Sequence, residues 1–190
     1  MAFEIVAIGT SWGGLYALKV VLGGLPKSFP VPLVIVQHRS SNATTKLAEV
    51  LQSYSGLRVQ EPEEKEPIRP GRVYLAPAGY HMLVEDHAIA LSIEAPVRHA
   101  RPSIDVLFES VADDYGVGAI GVILTGASAD GAQGLARIKE RGGLTVVEDP
   151  AKAESRIMPE AAIRSTAVDH VLPLTQVAPL LIAVCQPGSR

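Results

Sequence analysis

Three side chains that could cooperate in acyl transfer follow three predicted strands. Ser11 lies in a glycine-rich turn, His38 directly follows an apolar run, and Asp130 lies in a loop after another apolar run. A histidine can take the proton of a serine hydroxyl, and a carboxylate can orient that histidine. Loops at the carboxyl ends of parallel strands share one edge of the sheet, so these groups can meet. They form a candidate catalytic triad.

The turn around Ser11 allows more than one interpretation. Gly9, Ser11 and Gly13 fit the G-x-S-x-G pattern, in which a hydroxyl stands clear at a strand-to-helix turn. The helix that follows offers N–H groups to an oxyanion. Glycine-rich first turns also bind phosphate, although Ser11 here replaces the second glycine of G-x-G-x-x-G. A nucleophile, a phosphate loop and an ordinary tight turn all remain open from these residues alone.

Each partner of Ser11 also has a structural interpretation. His38 could be a loop histidine with a purely structural hydrogen bond, and Asp130 precedes a predicted helix, where aspartate is a common N-cap. The chain order Ser, His, Asp differs from the Ser, acid, His order of α/β-hydrolases, which argues against that fold. His81 follows a further predicted strand and is the second candidate for a cleft histidine. We expect Asp105 and Glu109 on a solvated helix face.

Alternating strand and helix patterns position these residues. Short apolar runs predict strands at residues 4–8, 31–36, 58–60, 72–75, 119–124, 144–147 and 171–174, and a hairpin at 82–85 and 89–93. Helical patterns begin near residue 15, at 44–53, after the N-cap candidate Ser103, at 131–141, at 159–165 and near Thr175. This order predicts an α/β fold: a three-layer, doubly wound, mainly parallel sheet with a local antiparallel β-hairpin.

Composition narrows the functional classes. The chain has 190 residues, 47% of them hydrophobic, and a net charge of −3, which suits one domain over residues 1–190. Lys and Arg form no basic stripe, so nucleic acid is not expected as a partner. No apolar run reaches the ~20 residues that membrane insertion requires. The single Cys185, expected to be structural or exposed, suits a reducing, cytoplasmic location. No residue cluster has metal-ligand spacing.

Several segments resemble the chemotaxis methylesterase CheB, in order and over nearly the whole chain. The turn at residues 9–14 is similar to its serine motif, and Gln37-His38 is similar to its histidine motif. The segments at 121–126 and 130–132 resemble its aspartate motif. Further matches lie at residues 70–77 with His81, at 101–108 and at 158–163.

The resemblance implies a serine esterase with Ser11, His38 and Asp130 as its triad. It implies hydrolysis of glutamyl methyl esters on chemoreceptor signalling helices with release of methanol, and some members of the family also deamidate receptor glutamines. Backbone N–H groups of Trp12 and Ala127 would meet the oxyanion, and no cofactor or metal is needed. The expected partners are methylated receptor helices and a separate receiver or kinase protein.

The chain departs from the family pattern in three places. Trp12 stands where the family usually has Thr, and Ala127-Ser128 stands where it has Met-Gly. The chain also begins at the catalytic strand, so no N-terminal receiver domain is expected. These departures keep two alternatives open. One is a non-catalytic or retargeted signalling module of this family, and the other is a nucleotide- or phosphate-binding α/β domain.

Overall fold

The computed structural model describes residues 2–40 and 46–186. In these parts of the chain, seven strands form one parallel sheet in the order β3-β4-β2-β1-β7-β8-β9, and two form an antiparallel hairpin, β5-β6. The strands are β1 (Ile5–Thr10), β2 (Leu33–Gln37), β3 (Arg58–Gln60), β4 (Arg72–Leu75), β5 (His81–Glu85), β6 (Ala88–Ser92), β7 (Ala119–Ile123), β8 (Leu144–Glu148) and β9 (His170–Leu172). The helices are α1 (Gly14–Gly24), α2 (Leu47–Gln52), α3 (Ile104–Tyr115), α4 (Ala132–Glu140), α5 (Ile157–Ser165) and α6 (Leu174–Cys185).

The central strands are buried on both faces, which explains their continuous apolar runs. In β1, Val6 and Ile8 point to one core, while Ile5 and Ala7 point to the other. Helices α1, α2 and α6 cover the first core, and α3, α4, α5 and the hairpin cover the second. The predicted three-layer, doubly wound architecture with an antiparallel hairpin is therefore confirmed.

The strand order reverses direction at β1, and this reversal positions the candidate site. The chain passes from β1 to β2 on one side of the sheet, and later returns to place β7 on the other side of β1. Ligands of open α/β sheets bind outside the carboxyl ends of the strands at such a switch point. The loops that follow β1, β2 and β7 therefore converge, and these loops carry Ser11, His38 and Asp130.

Element boundaries differ from the predictions by a few residues. The second strand begins at Leu33 and not at residue 31, because Pro32 precedes it. The fifth helix begins at Ile157, so that Pro159 lies in its first turn, where a missing N–H costs little. Of the helix predicted at 44–53, residues 44 and 45 lie outside the described residues.

Two further sequence observations have structural counterparts. Cys185 is buried, and this burial raises the pKa of its thiol to about 11. Within residues 2–40 and 46–186, no helix has the length and apolar character that crossing a membrane requires.

Candidate functional site

Strand register places Ser11 beside His38. Thr10 and Gln37 are partners at the ends of the adjacent parallel strands β1 and β2. Ser11 and His38 are the next residues on these strands, which lie about 4.8 Å apart in a regular sheet. The Ser11 N–H donates to the Thr125 carbonyl at 3.0 Å, and the His38 N–H donates to the Thr10 carbonyl at 3.0 Å. Both side chains therefore leave the sheet at the same edge.

His38 is paired with Asp130 across 92 residues of sequence. The distance from His38 Nε2 to Asp130 Oδ2 is 2.7 Å, and the Asp130 side chain is fully buried. An ionised carboxylate only accepts hydrogen bonds, so Nε2 carries the proton and Nδ1 is left as an acceptor. Among the described residues the Ser11 hydroxyl has no hydrogen-bond partner, and it lines the same cavity as His38. The hydrogen bond between a catalytic serine and its histidine is often long without substrate and shortens when substrate is bound.

The Asp130 carboxylate accepts three further hydrogen bonds, all from the start of α3. The Ser103 hydroxyl donates to Oδ1 at 2.8 Å, the Ile104 N–H to Oδ2 at 2.7 Å and the Asp105 N–H to Oδ1 at 3.1 Å. Burial acts to raise the pKa of Asp130, but the bonds from His38 and from these N–H groups outweigh it. The pKa therefore lies below the ordinary value of 3.8, and the carboxylate remains ionised.

The alternative that Asp130 caps the helix following it is wrong. Gly131 occupies the N-cap position of α4, and no side chain caps that helix. Asp130 instead satisfies N–H groups of a different helix, α3, together with the N-cap residue Ser103, which was predicted correctly. Gly131 makes this approach possible: its φ is 92°, and a Cβ there would lie 2.6 Å from Cγ2 of Ile104.

A cavity of about 600 Å³ opens over Ser11 and His38 and is hereafter the cleft. Trp12 and Ala127 are among the residues that line it. Trp12 is 66% exposed, so most of its surface faces solvent. Within the described residues, neither the Trp12 N–H nor the Ala127 N–H has a hydrogen-bond acceptor. Both donors are therefore free to bind a ligand.

A carboxylate at the start of α1 disfavours the phosphate-loop interpretation. Gly13 has a φ of 78°, and a Cβ on it would lie 2.5 Å from Oε2 of Glu154. Glu154 thus occupies the space beside the helix N-terminus, and it also lines the cleft. A phosphate at that place would be repelled by this negative charge, whereas a neutral ester would not.

His81 and Asp105 lie behind the cleft. His81 is 2% exposed, its Nδ1 accepts from the Ser103 N–H at 3.2 Å and its Nε2 lies 3.2 Å from the Ala95 carbonyl. His81 therefore supports the N-cap of α3 and does not line the cleft. Asp105, expected on a solvated helix face, is instead buried and bonded to the Gly134 N–H and to Arg98, while Glu109 is exposed as expected. Burial, with the nearby Asp130 charge, raises the pKa of Asp105.

Gln37 is a site residue to which the sequence reasoning gave no role. Its Nε2 donates to the Ser11 carbonyl at 2.8 Å and to the His38 carbonyl at 3.0 Å. The Gly14 N–H also donates to the Ser11 carbonyl, at 2.9 Å. In a trans peptide, the C=O and the following N–H point in opposite directions. Gln37 and Gly14 therefore fix the direction of the Trp12 N–H. In the sequence, the only indication of this role was that Gln37 directly precedes His38.

Comparison with known proteins agrees with this geometry. A family model described as CheB methylesterase matches residues 6–181. A protein of Leptospira interrogans is 48% identical over 187 residues, which cover 98% of this chain and 97% of the relative. The protein-glutamate methylesterase/protein-glutamine glutaminase of Moorella thermoacetica is 42% identical, and the match covers 95% of this chain but 44% of the relative.

A solved structure gives the same result at the level of the fold. The crystal structure of the Thermotoga maritima CheB methylesterase catalytic domain superimposes with a TM-score of 0.89 at 35% identity, and covers 96% of this chain and 98% of that domain. The chain thus spans nearly all of two relatives and about half of others. From the family match, the sequence identity and the shared fold, this chain belongs to the CheB methylesterase family.

Proposed function

We propose that this chain is a protein-glutamate methylesterase that removes methyl esters from glutamate side chains of chemoreceptors. The observation that carries the proposal is the 2.7 Å contact of His38 with the buried Asp130, beside Ser11 on the neighbouring strand. The names of relatives, which pair methylesterase with glutaminase, support glutamine deamidation as a second reaction of the same site. Residues 1–190 would act as one catalytic domain in the cytoplasm.

In the proposed mechanism, Ser11 is the nucleophile and His38 is the base. The free Nδ1 of His38 takes the hydroxyl proton as Oγ attacks the ester carbonyl, and then returns it to the leaving methoxide to give methanol. Water then attacks the acyl carbon, with His38 Nδ1 as the base. The bond from the acyl carbon to Ser11 Oγ breaks, the glutamate is released, and His38 returns the proton to Oγ. The ionised Asp130 holds the ring in the required tautomer and stabilises the imidazolium that forms at each step.

The oxyanion needs hydrogen-bond donors that are already in place before reaction. In the proposed mechanism, the N–H groups of Trp12 and Ala127 supply them, because both lack an acceptor within the described residues and both residues line the cleft. Replacement of the family's Thr by Trp12 and of its Met-Gly by Ala127-Ser128 leaves these backbone donors in place. This supports an active enzyme over a non-catalytic relative.

The direct test uses a synthetic receptor signalling-helix peptide that carries one γ-methyl glutamate. We expect the purified protein to release one methanol per ester and to leave a glutamate, and to release ammonia from the matching glutamine peptide. Methanol would be measured with a coupled alcohol oxidase, and the product would be identified by mass spectrometry. Intact ester after prolonged incubation with a protein that is folded by circular dichroism would contradict the proposal.

Replacing Gln37 with leucine is expected to lower kcat about 10- to 100-fold with little change in KM, because a misdirected oxyanion donor weakens transition-state binding. The leucine keeps the bulk of the side chain but cannot donate to the Ser11 and His38 carbonyls. Steady-state kinetics on a small chromogenic ester would measure both constants. Gln176→Leu, an exposed glutamine on α6, is the matched control and should retain both. An unchanged kcat in Gln37→Leu would exclude this positioning role.

A further inference from the structure

A second cavity shares His38 with the cleft. It has a volume of about 490 Å³, and its walls include Arg39, His99 and Arg101. No acidic residue is among the described residues that line it. We call it the basic cavity. It is a local exception in a chain whose net charge is −3.

Arg39 forms part of the wall of the basic cavity. Its side chain is only 9% exposed, and one of its terminal nitrogens, Nη2, bonds to Glu61 and to the Ala76 carbonyl. Its Nε is buried and has no hydrogen-bond partner within the described residues. The bonds of Nη2 hold Arg39 in place as part of the wall, and Glu61 offsets its charge.

Arg101 contributes a charge that no carboxylate neutralises. Its Nη1 donates to the Ile93 carbonyl at 2.7 Å and to the Glu94 carbonyl at 2.9 Å, and no acidic side chain of the described residues pairs with it. The two carbonyls fix one end of the guanidinium. The remaining N–H groups are therefore available to a bound anion in a fork geometry that suits a carboxylate.

The loop that carries His99 has an uncommon backbone conformation. Arg98 and His99 have φ values of 48° and 65°, which are costly for residues with a Cβ. The turn is closed by two hydrogen bonds between Val97 and Ala100, and Arg98 is tied to the buried Asp105 at 2.9 Å. Backbone of this kind persists where the surroundings enforce it, often at binding sites. Here it fixes His99 at the wall of the basic cavity.

We propose that the basic cavity binds an acidic side chain of the substrate, close to the ester that reacts at Ser11. The inference rests on the proposed function, since it names the substrate segment of that same site. His38 lines both cavities, so a carboxylate bound here lies next to the reacting group. The enzyme would thereby prefer a glutamyl ester with acidic neighbours, and this local positive charge would attract an acidic segment to an otherwise negative protein.

The test measures binding and does not depend on turnover. Two dye-labelled peptides carry one γ-methyl glutamate, flanked on both sides by glutamates in one peptide and by glutamines in the other. Fluorescence anisotropy gives their Kd values for the Ser11→Ala protein, which cannot form the acyl-enzyme. We expect the acidic peptide to bind about tenfold more tightly, the scale of a charge-assisted hydrogen bond, and less so at high salt.

Substitutions at Arg101 then assign the preference to the basic cavity. Arg101→Gln should reduce the ratio of the two Kd values to within about twofold, and Arg101→Lys should retain most of it because the charge remains. Arg164→Gln, an exposed arginine on α5, should retain the full ratio. Equal Kd values in the Ser11→Ala protein, or a ratio that survives Arg101→Gln, would overturn the proposal. Failure of the parent chain to release methanol would count against the proposed function alone.

Discussion

Replacing Ser11 with alanine is expected to lower kcat for ester hydrolysis about 10⁴-fold or more, the scale found when a triad nucleophile is removed. The reason is geometric. Ser11 directly follows the strand that pairs with the strand before His38, and among the described residues that line the cleft it is the only serine, threonine or cysteine. Hydrolysis of a small chromogenic ester and labelling by a fluorophosphonate both report on this hydroxyl, and both should be lost.

A matched serine substitution separates chemistry from folding. Ser53 lies at the end of α2, and among the described residues its exposed hydroxyl donates only to the Val50 carbonyl. Ser53→Ala should therefore keep full labelling and full activity. His38→Ala should lose labelling although Ser11 is present, because the hydroxyl then has no base. If labelling persisted in Ser11→Ala, a residue other than Ser11 would be the nucleophile, and the proposed triad would be refuted.

The meeting of Ser11 and His38 was predictable because it depends on local patterns. Buried parallel strands are short apolar runs, and both residues directly follow such runs, so strand order alone brings them to one edge of the sheet. In the structure, Thr10 and Gln37 are register partners, which makes Ser11 and His38 neighbours without any loop folding back. The alternation of strand and helix patterns predicted the three-layer architecture in the same way.

The surroundings of Asp130 were not predictable, because they depend on packing between distant segments. An aspartate before a helix suggests a cap of that helix, yet here the loop turns against α3, 25 to 27 residues away in sequence. Burial of Asp105 follows from the same packing, since the Gly134 N–H approaches it closely only because that residue has no side chain. Hydrophobic periodicity and secondary-structure propensity carry no information on such long-range contacts.

The role of Gln37 escaped sequence reasoning for a different reason. Its side-chain amide bonds to backbone carbonyls, and such bonds also need a particular rotamer and strand register, which the residue type alone does not specify. One of its atoms, Oε1, is buried and has no partner within the described residues. A buried polar atom of this kind is more common at functional sites than in ordinary cores. The end of β2 therefore orients its neighbours as well as completing the sheet.

The Asp130→Asn substitution should lower kcat about 10³- to 10⁴-fold, as expected when an asparagine replaces the acid of a triad. Four donors converge on the carboxylate, two on each oxygen. An amide offers one oxygen, so its NH₂ group must face either His38 and the Ile104 N–H or Ser103 and the Asp105 N–H. In the first case the histidine tautomer is reversed, and in both cases the charge that stabilises imidazolium is lost. Steady-state kinetics on the small ester measures the loss.

The same substitution should also lower stability by about 1–3 kcal/mol at neutral pH, because α3 loses an acceptor. The sign with pH follows from the lowered pKa of Asp130. Its contribution is present above the ordinary value of 3.8 and disappears as pH falls through the lower folded-state value, so the two proteins should converge in acid. Urea unfolding across this range measures the convergence. A constant difference in unfolding free energy down to the lowest pH would contradict it.

Ser103→Ala separates the two roles of Asp130. It removes the N-cap hydroxyl and its bond to Oδ1, but leaves the 2.7 Å contact between His38 and Oδ2. Stability should fall by about 1 kcal/mol, as for loss of an N-cap, while kcat should fall less than about tenfold. If Ser103→Ala lost as much activity as Asp130→Asn at a similar loss of stability, capping of α3 would explain both. A large gap between the two kcat values assigns the carboxylate to the orientation of His38.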